Sequence, residues 1–206
     1  MNIVIVGAGN VGRALGGGWV RSGHKVTFAV RDASKPELSE LKQRGASVIP
    51  VTGAAAAGDV IVLSVPWPAV DASIKALGPM AGKVVVDATN PLTADFSLAV
   101  GHDDSAGETV ARRAPGARVV KAFNTTGFNN MADSRYTGGK LAMMVAGDDG
   151  EAKKIVLALA SDLGFDAIDA GPLSMSRYLE PMAMVWIKLA IAQKMGRDFG
   201  FAILRR

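Results

Sequence analysis

Residues 1–12 read MNIVIVGAGNVG: an apolar run over 3–6 enters Gly7-x-Gly9-x-x-Gly12, and a helical pattern over 11–21 follows. The three glycines stand where a strand-to-helix turn around a pyrophosphate needs them. Gly7 lets the chain turn tightly off the strand, Gly9 lets backbone approach the phosphates, and Gly12 lets the helix pack close to the sheet. Asn10 and Val11 open the helix, whose unpaired N–H groups and positive dipole end suit an anion held at the loop. A second apolar run over 25–30 completes a strand–loop–helix–strand unit. In that context the glycine pattern is a dinucleotide site, and the fold is α/β.

The kind of dinucleotide is decided at the end of the second strand. There a carboxylate meets the ribose 2′-OH of NAD, whereas a cation meets the 2′-phosphate of NADP. The chain reads Val30-Arg31-Asp32-Ala33-Ser34-Lys35, with Arg31 placed 19 residues after Gly12. Arg31 offers a planar fork suited to phosphate, and Ser34 and Lys35 add a hydroxyl donor and a second charge. These residues favour NADP(H). Asp32 argues the other way, because on a strand one residue longer its carboxylate would face the ribose and repel a 2′-phosphate.

At 206 residues, 49% apolar and 20% charged, the chain has enough sequence to bury a substantial core. No apolar run reaches the roughly 18 residues of a membrane helix, and Met1 leads into the first strand without a basic, apolar signal segment, so a cytoplasmic protein without a membrane partner is expected. The absence of cysteine excludes disulfides, thiolate catalysis and thiolate metal sites. A net charge of +4 spread along the chain suits anionic small molecules rather than nucleic acid. Of the two histidines, His24 reads as a loop-packing residue, and His102 beside Asp103 and Asp104 reads as a solvated loop rather than a metal site.

Strand and helix patterns alternate along most of the chain, which predicts a doubly wound, mostly parallel Rossmann sheet with a short C-terminal helical segment. After the second strand come a helix over 36–44, a strand over 47–50, a helical turn over 53–57, a strand over 60–63 and a helix over 70–77. A strand over 83–87, a helix over 107–114, strands over 118–122 and 141–146, a helix over 151–163 and a strand over 166–169 follow. The division is therefore a dinucleotide-binding domain over 1–170 and a helical segment over 171–206 packed on it, its helix spanning 175–195. In that helix Leu179, Met182, Trp186, Leu189 and Ala190 fall on one face, and Arg177 is expected to pair with Glu180, three residues on.

Ligands of such sheets lie outside the carboxyl ends of the strands, so the strand exits carry the remaining candidates: Ser64-Val65-Pro66-Trp67, Thr89-Asn90-Pro91 and Phe123-Asn124-Thr125. Pro66 ends its ladder and biases Val65 to an extended shape, so that both can lie flat along a cofactor. Trp67 reads either as part of the site or as a rim aromatic over the core. Asn90, Asn124 and Thr125 read either as amide and hydroxyl partners of the cofactor or as turn formers.

Read together, GAGNVG at 7–12, VRD at 30–32, SVPW at 64–67, KAFNT at 121–125 and GPLSMSRYLEP at 171–181 resemble the NADPH-dependent reductases of the deazaflavin coenzyme F420. They also resemble the related cytosolic flavin-binding domain of six-transmembrane metalloreductases. The pieces cover nearly the whole chain in order, and KAFNT and SRYLEP are the ones particular to this group. The resemblance implies hydride transfer between NADP(H) and a flavin-like acceptor, coenzyme F420 or FMN or FAD, and it implies a homodimer. Asp32 departs from it, standing where the deazaflavin reductases tend to carry a second basic residue.

No acid/base pair is evident, which suits an acceptor that needs stacking and orientation more than a general acid. A dehydrogenase of a small metabolite and a non-catalytic NADP(H)-binding sensor stay open beside that reading. The apolar content of Met182, Met184, Val185, Trp186 and Leu189 exceeds what one buried helix face uses, and a second copy of the chain is the expected partner for the rest.

Overall fold

The computed structural model describes residues 1–206. Its strands are β1 (Asn2–Val6), β2 (Lys25–Val30), β3 (Ser47–Pro50), β4 (Val60–Leu63), β5 (Val84–Asp87), β6 (Arg118–Lys121), β7 (Ala142–Gly147) and β8 (Asp166–Gly171). Its helices are α1 (Asn10–Arg21), α2 (Ser39–Gln43), α3 (Val70–Leu77), α4 (Ala106–Arg113), α5 (Phe128–Ala132), α6 (Gly150–Asp162) and α7 (Ser176–Ile187). Strands dense in Val and Ile form a single sheet in the order β3-β2-β1-β4-β5-β6-β7-β8. The first six run parallel; β7 reverses direction against β6 through only two residue pairs, and β8 is parallel to β7.

Both faces are covered, which is why the central strands carry consecutive apolar residues instead of alternating, up to Asp87 and Lys121 at the ends of β5 and β6. One face buries Leu15, Trp19, Phe28, Phe123, Leu159 and Phe165; the other buries Val6, Leu63, Val70, Leu77, Val110 and Leu173. Trp19 places its indole edge on Phe123, 5.6 Å between ring centres, and donates its N–H to the Leu159 carbonyl at 3.0 Å. This contact fastens α1 to α6 on one face of the sheet. No helix is long and apolar enough to cross a membrane.

Two expectations need correction, and one element is not anticipated by the sequence. The helix over 36–44 splits into a 3₁₀ turn Pro36–Leu38 and the short α2, because Pro36 has no N–H and opens the segment as a tight turn. The helix over 175–195 begins as a 3₁₀ turn at Leu173–Met175 and leaves α-geometry after Ile187, where a π-turn Lys188–Ala192 closes with Gln193 donating to the Lys188 carbonyl at 3.0 Å. The chain then folds back: Phe199 stacks on Trp186 at 5.3 Å, and the Phe201 carbonyl accepts from the Ala142 amide at 2.8 Å. The unanticipated element is α5, formed by FNNMA, whose five residues are too few to show a period.

Candidate functional site

Gly7 leaves β1 with φ +97°, and its amide donates to the Ala29 carbonyl at 3.0 Å. A side chain there would press within 3.0 Å of the Ser64 carbonyl and of Val65. Gly12 is equally confined, its missing Cβ position lying 2.5 Å from the Gly7 carbonyl and 2.8 Å from the Ser64 hydroxyl. Ser64 itself donates to the carbonyl of Val6 at 2.9 Å, so its hydroxyl clasps the β1 and β4 exits together.

Gly9 differs from both. Its backbone is extended (φ −77°, ψ −173°), it caps α1 without any side-chain acceptor, and no acidic residue occupies the first turn. A Cβ on Gly9 would meet no atom within 4 Å. The first-turn amides, those of exposed Asn10 and half-buried Val11 included, therefore have no side-chain partner from the chain itself. Gly9 borders a cavity of about 930 Å³. An open cradle at a dipole-positive helix end fits the pyrophosphate of a dinucleotide.

The cavity extends past the end of β2, where Arg31, Asp32 and Lys35 reach it. Strand β2 stops at Val30, as the sequence predicts, so Asp32 lies beyond the ladder. Its Oδ1 accepts from the amide and the hydroxyl of Ser34 at 2.9 and 2.6 Å, and these bonds hold its carboxyl below the usual carboxylate range. The Ser34 hydroxyl is thus engaged by Asp32, and Ser34 is not among the residues that line the cavity. Lys35 rests 3.7 Å from Glu37.

Two features of this end are missed by the sequence reading. Arg13 lines the cavity, anchored by Nε to the Ala8 carbonyl at 2.8 Å and by Nη2 to the Glu37 carbonyl at 3.2 Å, and adds a third cation beside Arg31 and Lys35. Its position four residues after Gly9, one turn along α1, is the signal that would have found it. An apolar slot between Val51 and the small residues Ala69, Ala72 and Ala76 opens from the same cavity and suits a flat ring such as adenine. The helical spacing of those alanines is its trace in the sequence.

At the other end, Val65 and Pro66 form the wall at the β4 exit. Trp67 opens a 3₁₀ turn and packs at the edge of the core, so the rim-aromatic alternative describes it. Asn90 and Asn124 lie outside the cavity wall and bond to each other: Asn124 Nδ2 donates to Asn90 Oδ1 at 3.2 Å, and Asn90 Nδ2 donates to the Asn124 carbonyl at 3.0 Å. Asn124 also donates to the Leu179 carbonyl at 3.1 Å, which ties the β6 exit to α7. Thr125 is buried nearby.

Beneath these exits lies a group of charges that no sequence spacing reveals. Lys121 Nζ donates to Asp87 Oδ2 at 2.9 Å, to Glu180 Oε1 at 2.8 Å and to the Thr89 carbonyl at 2.7 Å, all of it out of contact with solvent. Burial pulls the Lys121 ammonium down, but Asp87 and Glu180 outweigh it and hold the group above the ordinary lysine value. Burial pushes Glu180 above the usual carboxylate range, against the opposing pull of Lys121 and of the Ala106 amide. The expected Arg177–Glu180 pair is therefore wrong. Arg177 instead forks onto Glu108 of α4 at 2.9 and 2.7 Å, because Glu180 is drawn inward by Lys121 and by the amides of Ala106 and Gly107. The KAFNT and SRYLEP stretches, 55 residues apart from Lys121 to Ser176, meet through these bonds.

Away from this region, His24, just before β2, joins the N-terminal amine to Asp162 at the end of α6, a packing role. Asp104 is clamped by Arg112 at 3.1 and 2.6 Å.

The model of the family described as coenzyme F420-dependent NADP oxidoreductase matches residues 2–91. The F420-dependent NADP reductase of Methanocaldococcus jannaschii is 34% identical over 174 residues, which cover 79% of this chain and 78% of that protein. The metalloreductase STEAP3 of Rattus norvegicus is 29% identical over 87% of this chain, which spans 36% of that larger protein. A crystal structure of a candidate F420-dependent NADP reductase from an Arthrobacter species superposes over the full length of both chains with a TM-score of 0.90 and 33% identity. A reductive aminase from Aspergillus terreus, solved with NADPH, has a TM-score of 0.67 at 19% identity over 93% of this chain and 62% of its own, a likeness of fold alone.

Proposed function

The chain belongs to the coenzyme F420-dependent NADP oxidoreductase family, and from that premise we propose that it passes hydride between NADP(H) and a flavin-like ring, the deazaflavin coenzyme F420 or FMN or FAD. When bound, the nicotinamide supplies or receives the hydride. The chain's own groups bind and orient. The open amides after Gly9 would hold the pyrophosphate, Arg31 with Lys35 and Arg13 would meet the 2′-phosphate, and Val65 and Pro66 would border the ring-bearing half.

The observation that carries the choice of acceptor is the state of the ionisable groups at the β5 and β6 exits. Reduction of a ketone or an imine calls on a positioned general acid. Lys121 uses all three of its protons inside the buried cluster, and Glu180 and Asp87 are held there as acceptors. Transfer to a flavin-like ring asks for stacking distance and orientation instead, which fits a site furnished in this way.

The test is NADPH consumption, followed by loss of its near-ultraviolet absorbance, in parallel incubations with coenzyme F420, FMN, FAD, a 2-oxoacid and an imine. Turnover that requires a deazaflavin or flavin supports the proposal. Turnover with the 2-oxoacid or imine and a steep pH dependence would make the protein a small-metabolite dehydrogenase. Binding of NADPH without turnover in any incubation would make it a sensor.

A further inference from the structure

Asp87, Lys121 and Glu180 have side chains at most 1% exposed, and together they carry one net negative charge. Both carboxyl groups are ionised by the logic of their bonds. Asp87 Oδ1 accepts from the Thr89 amide at 2.9 Å and hydroxyl at 2.7 Å, and Oδ2 accepts from Lys121. Glu180 Oε1 accepts from Lys121 and from the Gly107 amide at 3.2 Å, and Oε2 accepts from the Ala106 amide at 3.0 Å. Every carboxylate oxygen faces donors, so none is placed to carry a proton. Well-packed apolar side chains would be at least as stable here, and fold stability alone does not account for three buried charges of unequal sign.

Their location suggests what does. Leu63, Asp87 and Lys121 are register neighbours on β4, β5 and β6. Leu63 is followed by Ser64, Val65 and Pro66, the cavity wall at the β4 exit. At the roughly 4.8 Å spacing of neighbouring strands, Asp87 is one strand and Lys121 two strands beyond that wall. Arg31 marks the adenosine end on the opposite side, at β2, so a dinucleotide lying across the glycine loop directs its nicotinamide half toward the cluster. The oxidised nicotinamide ring is a cation and the reduced ring is neutral.

We propose that the Asp87–Lys121–Glu180 cluster sets the balance between the two redox forms of the bound dinucleotide, its net negative charge favouring the oxidised, cationic ring and so biasing the site toward hydride donation. The inference rests on the dinucleotide part of the reading above and is independent of which acceptor is used. The N-terminus of α4, which donates two amides to Glu180, offsets about half a charge. Half to one charge acting over roughly 10–15 Å at an effective dielectric of about 20 corresponds to about a twofold to sixteenfold preference.

The test compares the dissociation constants of NADP⁺ and NADPH in the unaltered protein and in Glu180→Gln and Asp87→Asn, two near-isosteric neutralisations, with melting curves for each. The expected result is a loss of NADP⁺ affinity relative to NADPH of about sixfold to sixteenfold in each variant, since each removes one full charge. A merely structural role would weaken both forms alike. An unchanged ratio in a folded variant, or a shift toward NADP⁺, overturns the proposal, and either variant suffices if the other does not fold. A protein that turns over no flavin but shows the ratio shift would sink the acceptor reading and leave this one standing; failure to bind either form would sink both.

Discussion

Replacing Lys121 by Met removes the one cation between two buried carboxylates. Its three bonds, at 2.9, 2.8 and 2.7 Å, are charge-assisted, each contributing about 1.5–3 kcal/mol. Against that total stands the desolvation of the ammonium, itself several kcal/mol, which the variant no longer bears. The remainder is about 3–5 kcal/mol of destabilisation, because Asp87 and Glu180 stay behind unpaired. In a chain of this length each kcal/mol lowers the melting temperature by about 2–4 °C, so a drop of about 6–20 °C is expected by calorimetry. The loss also has a pH signature. Without Lys121 both carboxyls ionise less readily in the folded chain than in the unfolded one, which raises their folded pKa values. A carboxyl of that kind favours the fold at low pH and ceases to do so as pH rises through its folded value, so the deficit shrinks on going from about pH 7 to about pH 5. Removing all three charges together, as D87N/K121M/E180Q, should recover much of the loss. A deficit below about 1 kcal/mol, or one that ignores pH, would refute the account of the cluster as an obligate buried ion group.

Arg31→Ala should weaken NADPH roughly tenfold to hundredfold and leave NADH unchanged, measured by titrating both; equal losses would show that Arg31 does not meet the 2′-phosphate. Gly9→Val should abolish dinucleotide binding in calorimetry with little change in melting, since an L side chain suits φ −77° and meets no atom of the chain; normal binding would contradict the pyrophosphate cradle. Arg177 holds the Glu108 carboxyl below its usual range, a contribution present above the ordinary carboxylate pKa and lost as pH falls through the lowered value. Arg177→Met should therefore melt earlier at neutral pH, and its difference from the parent should fade in acid; a difference that persists in acid would place the effect in packing. Light scattering at micromolar concentration should show a dimer that Val185→Asp dissociates, because Tyr178 and Val185, 68% and 52% exposed, share one face of α7; a monomeric parent protein would end that proposal.

The cofactor half of the site was legible because its signals are local. A strand, three glycines and a helix must follow one another for a backbone cradle to form, and the cation at the end of β2 must sit a fixed distance along the same unit. Arg31 and Lys35 reach the cavity accordingly, and Val65 and Pro66 stand at a strand exit that the parallel topology alone locates. The failures are of another kind. Spacing offers Ser34 as a donor, whereas in the fold Asp32, two residues away, accepts from its hydroxyl. The helical spacing of apolar residues carries the last helix to residue 195, but the chain leaves α-geometry after Ile187 and turns back, with Phe199 stacked on Trp186.

What the sequence by itself determined is the class of fold, the family and the kind of molecule that enters the glycine loop, since each depends on the order of neighbouring residues along the chain. Only the tertiary structure decided the partners of the charges. Glu180 has Arg177 one helical turn away, and local spacing pairs them. The fold instead offers Glu180 a buried ammonium and two helix-end amides, and offers Arg177 the carboxylate of Glu108. A charge taken out of water must find its compensation wherever the sheet and helices bring it, and that distance is measured through space rather than along the chain.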